Sequence, residues 1–73
     1  MKKKDIRDSK GEPLNEGDSV KLKTGGNEMI IIWFKEDAWN GYLTGEVLCE
    51  WHDELGMKQD GTYPSTGLTK IFS

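Results

Sequence analysis

The sequence predicts an all-β domain of short strands. Nine glycines and two prolines in 73 residues imply frequent turns between brief elements. Apolar and polar residues alternate in several stretches bounded by Gly, Asn and Asp, and no stretch holds the 3.6-residue apolar period of a helix.

The first strand is expected at residues 19–23, where Val20 and Leu22 alternate with Ser19, Lys21 and Lys23 after a turn signal at Asn15 to Asp18. Gly25 and Gly26 then mark a hairpin turn, because glycine takes the positive φ values such turns demand. Residues 28–34, "EMIIIWF", form the most β-prone segment. Strict alternation puts Met29, Ile31 and Trp33 on one face and Ile30, Ile32 and Phe34 on the other. Both faces are then apolar. A half-solvated sheet keeps one side polar, so either a strongly bent barrel strand feeds the core from both faces, the reading slightly preferred, or the second face needs a cover such as the N-terminal arm, the 35–45 loop or another subunit.

Residues 35–45, "KEDAWNGYLTG", are read either as a wide loop or as strands continuing around an Asn40-Gly41 turn, and Trp39 and Tyr42 on it either contact a partner or fold back to cap the core. The third strand is expected at residues 46–52, with Val47, Cys49 and Trp51 facing the core and Leu48, Glu50 and His52 facing away. A turn at residues 53–56, a short strand near 57–63, a tight turn in "YPSTGL" and a last strand at 68–72 complete the order. Five short strands with a long second-to-third connection and a turn before the last predict a small five-stranded SH3-like barrel.

A chain of this length buries only about 60% of the surface its unfolded form exposes, so a large catalytic cleft is not expected. Residues 1–12 read as a polar, flexible basic arm, with residues 13–73 forming the single barrel domain. The charge divides the same way. Five cations against two acids make residues 1–10 net +3, which leaves residues 11–73 at −6 of the overall −3. No apolar run reaches the roughly 18 residues of a membrane span, and the N-terminus lacks the apolar stretch of a signal peptide. The lone Cys49 has no intrachain disulfide partner, which fits a reducing compartment, and a cytoplasmic protein is expected.

"GDSVKLKTGGNEMIII" (residues 17–32) and "GEVLCEW" (residues 45–51) resemble the YodC-like family of small bacterial proteins of unknown function. The shared features are a Gly-Asp, the Leu22-Lys-Thr-Gly-Gly26 turn, an apolar strand opening on Met, and Cys49-x-Trp51. The chain departs from the family pattern at Asn27-Glu28, where a proline is usual, in a longer 35–44 loop, and at His52, a position often aromatic. The segment "DSKGEPLNEGDSV" (residues 8–20) is also similar to the entry segment of phage-associated and bacterial SH3-like barrels. The resemblance implies a fold and carries no activity, so it transfers no site residues.

No catalytic, metal or cofactor site is expected. A zinc site needs four ligands, usually Cys and His, and one of each is present. Cys49 and His52, three apart on a strand, fall on opposite faces, which also opposes a Cys-His dyad. The loop-borne pairs Glu36-Asp37 and Asp53-Glu54 suit solubility rather than acid-base work. The Gly25-Gly26 turn lacks the spacing and the following helix of a phosphate-binding loop.

A non-catalytic binding module acting through an unidentified protein partner is the favoured reading, with Trp33, Phe34, Trp39 and Tyr42 as contact residues. A nucleic-acid-binding barrel is the alternative, using Lys21, Lys23 and Lys35 beside Trp33 and Trp39; the acidic body opposes it. A third reading is an acidic inhibitor from a phage or other mobile element that occludes a basic site on a host protein.

Overall fold

Val20, Ile31, Val47, Cys49 and Leu68, all fully buried, come from four different strands and meet in one core. A computed structural model describes residues 6–72 of the chain. The strands among the described residues are β1 (Ser19–Leu22), β2 (Met29–Glu36), β3 (Leu43–His52), β4 (Lys58–Pro64) and β5 (Leu68–Lys70), with a 3₁₀ turn, Ser65–Gly67, before the last. They form one antiparallel sheet in the order β4-β3-β2-β1-β5, and the sheet is not closed by hydrogen bonds. The all-β expectation holds, with five strands in the expected order. Full burial of each Val, Ile or Leu in the core contributes roughly 1.5–3 kcal/mol.

The register alters one expectation. Ile31 lies opposite Cys49, but Trp33 lies opposite Leu48, so β2 spends two residues where β3 spends one. Ile32 is therefore the extra residue of a β-bulge, and the alternation reverses beyond it. Trp33 moves to the outer face with Leu48, and Phe34 turns inward opposite Val47, where it packs on the core. A second irregularity follows, this time with the surplus on β3: Phe34 faces Val47 while Glu36 faces Leu43. Gly45 sits inside it at φ +95°, a conformation that side-chain-bearing residues rarely adopt.

β3 follows the sequence pattern. Val47 and Cys49 are buried, Trp51 packs against the core, and His52 is exposed. Trp51 meets Tyr63 of β4 at 6.2 Å between ring centroids with planes tilted by 48°. Tyr63 in turn lies over Gly61, so close that a Cβ there would meet its Oη at 3.1 Å.

Residues 6–12, expected within a flexible arm, are instead built into the domain. Ile6 and Leu14 are core residues, linked by the Leu14 amide donating to the Ile6 carbonyl at 2.9 Å. The Ser9 amide donates to the Leu68 carbonyl at 2.8 Å, which covers the free side of β5. One apolar side chain and one well-placed carboxylate, Asp8, outweigh the polar composition of this segment. The rest of the expected arm, residues 1–5, lies outside the described residues. Among the described residues, no helix is long and apolar enough to cross a membrane.

Candidate partner-binding surface

The β2–β3 hairpin turns through residues 37–42, and its backbone is held by two side chains. The Asp37 amide donates to the Tyr42 carbonyl at 2.8 Å, and the Gly41 amide to the Asp37 carbonyl at 2.9 Å. Asp37 Oδ1 accepts from the Trp39 amide at 2.7 Å, and Asn40 Oδ1 accepts from the Tyr42 amide at 2.9 Å. Such Asx contacts are why Asp and Asn stand at turns. The turn is thus longer than a two-residue Asn-Gly hairpin, with Gly41 at φ +74° closing it.

This ordered turn holds Trp39 out into solvent at 96% exposure, with Tyr42 at 53%. An indole left in water forgoes the burial free energy that aromatic side chains supply in a core. Behind the turn, the outer face of β2 presents Ile30, Ile32 and Trp33, each 39–46% exposed. Of the four expected contact residues, Trp33, Trp39 and Tyr42 are at the surface. Phe34 is not among them, because the bulge at Ile32 turns it inward.

The structure does not gather the three lysines into one strip. Lys35 follows Phe34 near the hairpin turn and pairs with Glu46 at 3.4 Å. Lys23 lies just past the other end of the β1–β2 ladder, opposite the position of residue 26 in the Ser19–Ile30 register. At about 3.3 Å per residue, the two ends are on the order of 25–30 Å apart along β2. Lys21, on the outer side of β1, is close to Lys23 only.

Sequence reasoning singled out no contact residue at the opposite end of β3, where the turn carries Leu55 at 87% exposure and Met57 also exposed. Asp53 builds that turn: its Oδ1 accepts from the Leu55 and Met57 amides, both at 2.9 Å, and its Oδ2 from Gln59 Nε2 at 3.1 Å. The Met57 amide, helped by the Gln59 side chain and the Leu55 amide, holds the Asp53 carboxyl below its ordinary range. Asp8 repeats the geometry at residues 8–12, where Oδ1 accepts from the amides two and four residues on, Lys10 and Glu12, both at 2.8 Å. Gly11 and Gly56 occupy the same place in the two loops, at φ +84° and +79°. The sequence signal is Asp-x-x-Gly-x in both.

A cleft of about 340 Å³ lies between residues 6–8, 43–45 and 65–66. Asp8 lines it, but both of its carboxylate oxygens are already engaged by backbone amides. Burial pushes the Cys49 thiol up to about 11, and His52 projects from the opposite face of β3. Among the described residues, no group of three or more His, Cys, Asp or Glu side chains is arranged to hold a metal ion.

Comparison with known proteins matches residues 15–68 to a family described as uncharacterized small protein (DUF2158). No curated protein matches the chain. No solved structure matches it either.

Proposed function

The chain belongs to the DUF2158 family of uncharacterized small proteins, and from that starting point we propose that it is a non-catalytic binding module whose contact surface is the β2–β3 hairpin turn and the outer face of β2. The observation that carries this reading is Trp39, almost fully exposed on a turn whose backbone five hydrogen bonds fix. A pre-ordered turn binds with less loss of conformational entropy than a loose one, and exposed Trp and Tyr are the residue types that dominate protein interfaces.

The finer resemblance to YodC-like proteins is our own reading beside the family match and supplies no further role. Its shared residues are structural: the Leu22–Gly26 turn links β1 to β2, and Cys49 and Trp51 face the core. A protein partner is supported over nucleic acid by the separated lysines and by the Lys35–Glu46 pair, which offsets one of the three cations. A cytoplasmic setting is supported by the buried, unpaired Cys49.

Trp39→Ala and Tyr42→Ala test the proposal. Both variants keep the thermal midpoint of the parent and lose partner binding. Unfolding of either variant would make those residues part of the core and end the proposal. A tight, salt-sensitive complex with a basic host protein would specify the inhibitor reading within the same class.

A further inference from the structure

β4 is an edge of the sheet, and its ladder with β3 shows which of its backbone groups are unused. The Asp53 amide donates to the Met57 carbonyl at 3.0 Å, and the same register continues through Trp51–Gln59, Cys49–Gly61 and Val47–Tyr63. In an antiparallel ladder, pairs that exchange hydrogen bonds alternate with pairs that do not. The backbone groups of Lys58, Asp60 and Thr62 therefore point away from β3. Among the described residues nothing in the chain meets them, and all three residues are exposed. Pro64, which has no N–H, ends the row.

We propose that this edge pairs with β4 of a second copy about a two-fold axis, making one continuous antiparallel sheet across two chains. Charge selects the register. Outward-pointing residues must face one another, and among the symmetric arrangements that satisfy this, three are centred on residues 59 to 61. One sets Asp60 against its own copy, a like-charge pair that opposes association. Another brings Lys58 against Pro64, which cannot donate. The third sets Lys58 against Asp60 of the second copy twice, by symmetry.

Two further observations favour that third arrangement. Asp60 already lies opposite Glu50 on β3, while Lys58 reaches Glu50 at 3.0 Å, so within one chain Asp60 faces an acid and has no cation paired with it among the described residues. A second copy supplies that cation. On the inner face the same register places the exposed Met57 against Gly61 of the second copy, a position without a side chain and roofed by the Tyr63 ring. A thioether beside an aromatic ring is a favourable contact. The assembly leaves the Trp39 turn uncovered and doubles it.

Sedimentation equilibrium of the full chain at low salt, across a range of concentrations, is the test. The wild type is expected to approach the mass of two chains as concentration rises. Asp60→Lys alone and Lys58→Asp alone each put like charges together at both symmetric contacts and weaken the dimer by at least roughly tenfold. The double variant K58D/D60K restores it, and keeps a lysine opposite Glu50. Trp39→Ala dimerises as the wild type does. Circular dichroism and thermal midpoints confirm that each variant is folded. A wild type that stays monomeric throughout overturns the proposal, as does a folded Asp60→Lys variant that dimerises undiminished, or loss of the dimer in Trp39→Ala, which would move the interface to the hairpin turn.

Discussion

The Lys70 amide donates to Asp8 Oδ2 at 2.7 Å, joining residues 62 positions apart in the chain. The other carboxylate oxygen of Asp8 closes its own turn on Lys10 and Glu12. One buried side chain thus ties the entry segment to the last strand. Removing it strands up to three backbone donors, those of Lys10 and Glu12 in the entry turn and Lys70 on β5, so Asp8→Ala is expected to cost about 1–3 kcal/mol. Urea titration of the two proteins measures the difference, and an unchanged midpoint would mean that water replaces the carboxylate without loss.

The same carboxylate makes stability depend on acid. Burial raises the Asp8 pKa, but the amides of Lys70, Glu12 and Lys10 outweigh it and hold the group below its ordinary value of 3.8. A depressed native pKa stabilises the fold fully above the unfolded value, and the advantage fades as pH falls through the native one. Over roughly pH 5 to 2 the wild type should therefore lose stability more steeply than Asp8→Asn. Parallel curves would show that Asp8 contributes nothing to acid unfolding.

Cys49 is inert in the folded chain. It is fully buried and its thiol is pushed up to about 11. A thiol reagent such as Ellman's reagent at mildly alkaline pH should label it only at the rate of unfolding, and at once in denaturant. Rapid labelling of the native protein would contradict the placement of Cys49 in the core.

Gly61 is small because Tyr63 lies on it. A Cβ at position 61 would meet Tyr63 Oη at 3.1 Å and two ring carbons at 3.3 Å. Gly61→Ala must displace the ring and disturb its contact with Trp51, at an expected cost of about 1 kcal/mol. In a Tyr63→Ala background the same substitution should be close to neutral. Equal costs in both backgrounds would place the strain in the backbone instead.

The strand order was legible in the sequence because local alternation and Gly-rich turns report it directly. In β3 the period of two runs unbroken from Val47 to His52, so the opposite placement of Cys49 and His52 follows from spacing alone. β2 differs. A bulge adds a residue without changing the local pattern, so the reversal at Ile32 that exposes Trp33 and buries Phe34 depends on the partner strand. The role of Asp8 was hidden for a similar reason: its decisive donor, Lys70, is at the far end of the chain. Composition marked residues 6–12 as a tail because it weighs the charges and not where one of them lands. Trp39 and Tyr42 stand out as aromatics on a turn segment, but core and surface placements look alike in sequence. Leu55 and Met57 lie in or beside a turn, where no strand period reports which side chains reach the surface.

The central claim is that Trp39 is held out for a protein partner and contributes nothing to the fold. Affinity capture from a lysate of the source organism, with nuclease added, tests it by comparing wild type with Trp39→Ala, both shown to have the same thermal midpoint. The account predicts a nuclease-resistant protein that the wild type retains and Trp39→Ala loses. The same protein retained equally by both, or nucleic acid recovered alone, would contradict it.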